Sequence, residues 1–249
     1  MVRRVLALDF DGVLWDSVGE CYQVAQLVWR DLGFTTGAVS YERFCQGRWL
    51  VRAGRDFGLV MHLLESNPSL DLAHYDEELF ALDLRENADF VQRFGELFAA
   101  RRRRCRQEIP HSWYGWQAPY PAVLAALPAW QQRFAAVAVA TTKDSASTRA
   151  LLASAQLDLP VYGVELGTDK RVHMERISAD FGVSPESVSF VDDVLPNLRD
   201  AARSGVRCYL AKWGYNTERS WRLARELGFG LLNEADLPGL ELVDLPDWK

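Results

Sequence analysis

Lysine is scarce in this chain of 249 residues. It stands only at positions 143, 170, 212 and 249, against 24 arginines, and residues 12–142 contain none. Chemistry that needs an amino group is thereby confined to a handful of positions. Cysteine is scarce as well: Cys21, Cys45, Cys105 and Cys208 lie far apart without a C-x-x-C pair. That spacing argues against a structural zinc site or a disulfide framework and leaves buried, reduced thiols. No run of about 18 uncharged apolar residues occurs, so no membrane span is expected. The apolar segment behind Met1-Val2-Arg3-Arg4 meets Asp9 too early for a signal peptide and has no small-residue cleavage site after it, so a cytoplasmic location is expected. Surplus positive charge is absent too, since the net charge is -6, which speaks against a nucleic-acid partner. His62, His74, His111 and His173 have no ligand-like spacing. What is present is an ordinary globular balance of 49% apolar and 25% charged residues, far from a disordered composition. The length allows one large domain or two smaller ones.

The chain opens with Val5-Leu6-Ala7-Leu8, a continuous apolar run ending at Asp9, the pattern of a buried parallel strand. Residues 16–109 then read as helical. Helices are expected over 17–32, over a short stretch capped by Ser40, around 59–64, and over 76–108 as one element or two. Residues 111–121, with Trp113, Tyr114, Trp116 and Tyr120 among Gly115, Pro119 and Pro121, read as a linker. Beyond it, strands expected at 134–140, 161–165, 188–192 and 206–210 alternate with helices starting near Asp144, Asp169 and Pro196. Alternation over short connections implies an α/β fold with a doubly wound parallel sheet. The first strand joins that sheet, and the helical block is an insertion. The expected division is a core of 1–15 and 116–249 and an inserted helical domain of 16–115.

Asp9-Phe10-Asp11-Gly12 places two carboxylates on one side of an extended segment at a strand end, where ligands of open α/β sheets bind. Alone, such a pair is as readily two solvated turn aspartates. A calcium loop does not fit, because Val13 falls at the third ligand position and a strand precedes the motif. Thr141-Thr142, Lys170 and Asp192-Asp193 fall at the ends of later strands or at the helix that follows. Each is weak singly, but in this order they converge on one crevice. The chemistry that suits the set is phosphoryl transfer through an aspartyl-phosphate. A carboxylate approaching a phosphate dianion needs cationic help. The acidic residues suit Mg²⁺, Lys170 offers a point charge and Thr141 a hydrogen bond. A second carboxylate can serve as acid and base.

Asp9-Phe10-Asp11-Gly12-Val13-Leu14, Thr141, Lys170 and Asp192-Asp193 resemble the four ordered motifs of the haloacid dehalogenase superfamily. Tyr120-Pro121, Trp213-Gly214-Tyr215 and the stretch from Phe190 to Val206 are similar to its phosphoglycolate phosphatase-like branch. The resemblance implies a Rossmann-like core with strand order 5-4-1-2-3 and an all-helical cap inserted after the first strand. It implies Asp9 as nucleophile, Asp11 as acid and base, and Thr141, Thr142 and Lys170 as phosphate-binding residues. Mg²⁺ would be held by Asp9, Asp11 and the Asp192-Asp193 pair, and the substrate would be a small phosphorylated metabolite. Thr142 stands where many relatives have asparagine. Asp193 is expected to be the direct metal ligand, with Asp192 behind it near Lys170, and Asn197 to orient the Asp193 carboxylate or cap the following helix. A dehalogenase would lack Asp11, and the phosphonate hydrolases of this branch would need a cap lysine that residues 12–142 do not supply. A phosphomutase and a non-catalytic phosphometabolite-binding module are the remaining alternatives.

The run Arg101–Arg104 spreads around a helix and reads as a solvated face. Arg48, Arg52 and Arg55, spaced four and three apart after Gly47, could share a helical face. Arg48 and Arg52 resemble the position of the cap's specificity loop.

Overall fold

The computed structural model describes residues 3–239, with the side chains of 236, 238 and 239 left aside. Residues 240–249 of the expected core segment, including Lys249, therefore lie outside the described residues. The chain divides into two compact units. One runs to Asp16 and resumes at Pro119; the other is Ser17–Ala118.

The first unit is built on six parallel strands: β1 (Val5–Leu8), β2 (Ala136–Ala140), β3 (Val161–Tyr162), β4 (Val188–Asp192), β5 (Arg207–Ala211) and β6 (Gly230–Leu232). Their order across the sheet is β3-β2-β1-β4-β5-β6. The five expected strands thus take the expected order, and β6 adds an edge the sequence did not reveal. Strand β1 sits centrally and all four of its residues are fully buried, as a strand covered on both faces must be. Register pairs Leu8 with Val139 of β2 and with Val191 of β4. The residues following β1, β2 and β4 therefore emerge side by side at one sheet edge. The third strand is shorter than expected: after Tyr162 and Gly163, Val164–Leu166 forms a 3-10 turn.

The second unit is helical: α1 (Val18–Asp31), α2 (Tyr41–Gln46), α3 (Phe57–Ser66), α4 (Glu77–Glu86), α5 (Ala88–Glu108) and α6 (Pro110–Gly115). Ser40 caps α2 through the Arg43 amide. The expected 76–108 segment breaks at Asn87, which caps α4 and precedes α5. Helix α6 corrects the linker reading of 111–121. Pro110 occupies its first turn, where the missing N–H costs nothing, and Trp113 is fully buried. Phe44 stacks on Phe57, Phe57 on Phe98 and Phe98 on Phe94 in this unit's core.

The solvated-face reading of the arginine run needs correction at Arg102, while Arg103 and Arg104 are exposed. Val91, Phe94, Phe98, Arg102 and Cys105 form one buried stripe of α5. Arg102 makes a two-pronged ion pair with Glu20 of α1, Nε to Oε1 at 2.8 Å and Nη2 to Oε2 at 2.9 Å. Trp113 Nε1 donates to the same carboxylate at 3.1 Å. A buried charge persists only when paired and hydrogen-bonded in this manner.

The core helices are α7 (Pro121–Arg133), α8 (Ser145–Ser154), α9 (Lys170–Phe181), α10 (Leu195–Ala202) and α11 (Glu218–Glu226). Met174 and Ile177 of α9, Leu195, Leu198 and Ala201 of α10 and Ala224 of α11 pack with Val5, Ala7, Val188 and Phe190 of the sheet. This packing fixes the starts of α9 and α10 beside the strand ends.

Candidate active site

The loop after β1 is a tight turn. The Asp9 amide donates to Val191 O at 2.8 Å, extending the strand pairing by one residue. Leu14 and Trp15 amides both donate to Phe10 O at 2.9 Å, and the Phe10 and Trp15 rings stack 5.1 Å apart. Gly12 carries φ +94°, and a Cβ there would meet Asp193 Oδ2 at 2.2 Å. Glycine is required at this position both for conformation and for room.

Asp9, Asp192 and Asp193 are all buried, and each presents a carboxylate oxygen within 4.8 Å of the others. Lys170, the first residue of α9, is fully buried. Its Nζ lies 2.8 Å from Asp9 Oδ1 and 3.5 Å from Asp192 Oδ2, and it also donates to Ala140 O. Asp169 caps the helix through the Arg171 amide, so the lysine leaves from a fixed helix start. Burial first, then the neighbouring charge of Asp9, push the Asp192 carboxyl up to about 7; Lys170 and hydrogen bonds from Val194 and Asn197 act the other way. Three clustered carboxylates facing one ammonium leave negative charge in excess. Hard oxygen donors at such spacing fit a divalent cation.

Asp192 and Asp193 are held by different partners. Asp192 Oδ1 accepts from the Val194 amide at 2.8 Å, and Asn197 Nδ2 donates to both Asp192 oxygens, at 3.3 and 3.1 Å. Asn197 therefore orients Asp192. The reason is the turn into α10, which brings the first helical residues back beneath the last residue of β4. Asp193 is instead lodged between two glycines. Its Oδ2 accepts from the Tyr215 amide at 2.6 Å, and a Cβ on Gly214 would lie 2.3 Å from Asp193 Cβ and 2.4 Å from Gly12 O. The Trp213-Gly214-Tyr215 loop after β5 also ties down the β1 loop. Trp213 Nε1 donates to Val13 O at 3.1 Å, and Tyr215 Oη donates to Asp16 at 2.6 Å.

Thr141 is buried at the end of β2, and its Oγ1 accepts from the Lys143 amide at 3.0 Å. That bond uses an acceptor lone pair and leaves the hydroxyl proton to be donated elsewhere. Thr142 is half-buried. Asp11 Oδ1 lies 3.0 Å from Lys143 Nζ, and Lys143 is buried. Lys143 carried no assigned role from the sequence. Its signal was the scarcity of lysine combined with a place two residues beyond Thr141.

Arg48 and Arg52 belong to the helical unit. Arg48 starts a 3-10 turn, is buried, donates to Val51 O at 3.0 Å and lies 5.8 Å from the centre of the Phe57 ring. Arg52 is half-buried, and its amide donates to Asp56 at 2.9 Å. The expected common helical face of Arg48, Arg52 and Arg55 does not form, because Arg48 and Arg55 lie in separate 3-10 turns.

Comparison with known proteins bears on this arrangement. No curated protein matches the sequence. Among solved structures, a candidate phosphoglycolate phosphatase from Lactobacillus delbrueckii subsp. bulgaricus is 14% identical, with TM-score 0.68 over 96% of this chain and 98% of its own. A predicted phosphatase from Clostridium acetobutylicum is 13% identical, with TM-score 0.64 over 98% of this chain and 100% of its own. A predicted phosphoglycolate phosphatase from Haemophilus somnus is 16% identical, with TM-score 0.60 over 94% and 96%. At these identities the likeness is one of fold. The family model of haloacid dehalogenase-like hydrolases matches residues 4–205, from the first strand through the Asp192-Asp193 motif and its helix. A match over most of the sequence, taking in every strand end that carries the clustered acids and Lys170, makes this chain a member of the haloacid dehalogenase-like hydrolases.

Proposed function

We propose that this hydrolase is a Mg²⁺-dependent phosphatase that cleaves a small phosphomonoester through an aspartyl-phosphate on Asp9. The observation that carries the reading is the buried contact of Lys170 with Asp9, set beside Asp192 and Asp193. A nucleophilic carboxylate held by one ammonium and flanked by two further acids suits an electron-rich, dianionic phosphoryl group only when a cation joins them. Mg²⁺, when bound, neutralises phosphoryl oxygens and reduces repulsion between the phosphate and the acids.

Asp9 attacks phosphorus and the alcohol leaves, taking a proton from Asp11. Asp11 then removes a proton from the water that attacks phosphorus in the aspartyl-phosphate, which releases phosphate and restores Asp9. Thr141 donates its hydroxyl to a phosphoryl oxygen, Thr142 lines the same end of β2, and Lys170 holds Asp9 in line. We assign the direct metal contact to Asp193, together with Asp9 and the loop at Asp11. Both oxygens of Asp192 already accept hydrogen bonds from Val194 and Asn197. Asp192 supports the site from behind, against Lys170.

The helical unit is the specificity cap in this reading. Its two candidate specificity residues are Arg48 and Arg52. The substrate is a small phosphorylated metabolite met in the cytoplasm. Purified protein assayed against a panel of such metabolites, phosphoglycolate included, should release phosphate with Mg²⁺ and stop with EDTA. Asp9→Asn should be inactive, since an amide cannot attack phosphorus and enzymes of this type exceed the uncatalysed rate by up to about 10²¹-fold. Turnover by Asp9→Asn, or turnover indifferent to EDTA, would remove the basis of the assignment.

A further inference from the structure

Lys143 takes no part in the steps above, yet its side chain is 0% exposed. An ammonium so buried is tolerated only when paired, and the pairing here is specific. Nζ lies 3.0 Å from Asp11 Oδ1, and 5.9 Å from the centre of the Phe10 ring. The backbone of Lys143 is fixed at both ends. Its amide donates to Thr141 Oγ1 at 3.0 Å, and its carbonyl accepts from the Val164 amide at 3.1 Å. The lysine therefore reaches across from the end of β2 to the loop of β1, from a base that cannot swing. Asp11 is the less buried partner, its side chain 14% exposed. A side chain at such a turn has several staggered rotamers open to it, and an anchored cation selects among them.

We infer that Lys143 is a positioning residue for Asp11. It holds the carboxylate at the crevice so that Asp11 meets the leaving oxygen rather than rotating away. The two buried lysines then serve different acids, Lys170 the nucleophile and Lys143 its neighbour. The inference rests on the acid and base role given to Asp11 under the proposed function.

The test is a double-mutant cycle read on two substrates. Para-nitrophenyl phosphate has a leaving group that scarcely needs a proton, whereas an alkyl phosphomonoester depends on one. Misplacing an acid catalyst by about 1 Å costs up to about 10²-fold, within the 10²–10⁴-fold that such a group contributes. Lys143→Met should lower kcat/KM for the alkyl ester, which reports the steps up to loss of the alcohol, by about 10–100-fold. It should change kcat/KM for the aryl ester by less than about threefold and leave inhibition by inorganic phosphate unaltered, while kcat for both esters falls wherever water attack on the aspartyl-phosphate limits turnover. Lys143→Gln, which keeps a donor for Asp11, should recover part of the alkyl activity; it carries the same cycle if the Met variant does not fold. In an Asp11→Asn background, neither substitution at 143 should cause a further loss. Equal losses of kcat/KM on the two substrates, or losses that multiply with Asp11→Asn, would overturn the inference. If Asp11→Asn itself treats both esters alike while the two positions remain non-additive, the role of Asp11 is wrong and its coupling to Lys143 stands.

Discussion

Replacing Gly214 with alanine probes the geometry around Asp193 without touching a charged group. The added Cβ would lie 2.3 Å from Asp193 Cβ and 2.4 Å from Gly12 O, where ordinary contact begins at 3.4 Å. Both must separate from that Cβ by about 1 Å, and neither is a flexible tip: one is the root of a buried side chain and the other is backbone. Overpacking of this kind costs about 1–3 kcal/mol. For a chain of this size each kcal/mol lowers Tm by about 2–4 °C, so a drop of about 2–12 °C is expected. The catalytic loss should be the larger signal, because a displacement of about 1 Å at the reacting groups is worth about 10²-fold in kcat/KM. Affinity for Mn²⁺, followed by electron paramagnetic resonance, should fall in parallel. Gly115→Ala is the control, since nothing lies within 4 Å of a Cβ there; its Tm and kcat/KM should match the parent. A Gly214→Ala enzyme with parental Tm, Mn²⁺ affinity and kcat/KM would refute the placement of the loop against Asp193.

Other expectations concern stability. Arg102→Met strands Glu20 without its cation in the helical unit and should cost about 3–5 kcal/mol, whereas the exposed neighbour Arg103→Ala should stay within about 0.5 kcal/mol; thermal melts compare the two directly. His173 is held down to about 4, by burial first and the charge of Lys170 second. The unfolded chain, with histidine near 6.5, takes up this proton before the folded one does. The contribution is whole above about pH 6.5 and lost as pH falls towards 4, by roughly 3 kcal/mol in all. Melting curves across that range should show His173→Gln losing less stability than the parent; identical slopes would place the acid sensitivity elsewhere.

Much of the core was legible because its signals are local. A continuous apolar run ending in an acid marks β1 and β4, and Asp144 and Asp169 cap their helices through their own side chains. The acids and Lys170 meet because parallel strands in this order must end at one edge. What stayed hidden depends on distant partners. Lys143 meets Asp11 across 132 residues and Arg102 meets Glu20 across 82; neither pairing leaves a trace in local composition. The stripe Val91-Phe94-Phe98 extends to Arg102 at helical spacing, a cue that consecutive arginines concealed. Helix α6 was obscured by aromatic, glycine and proline residues that favour a turn, although Pro110 at a first helical turn is a start signal. Strand β6 spans only three residues, too few for periodicity to register. The hold of Asn197 on Asp192 stayed hidden because counting residues does not reveal how the turn into α10 folds back under Asp192.

The most direct test of a covalent route through Asp9 is the stereochemical course at phosphorus, followed with a substrate whose phosphoryl group is made chiral with oxygen isotopes. Two successive in-line displacements, first by the Asp9 carboxylate and then by water, predict net retention of configuration. Inversion would mean that water attacks the substrate directly, and it would contradict the account.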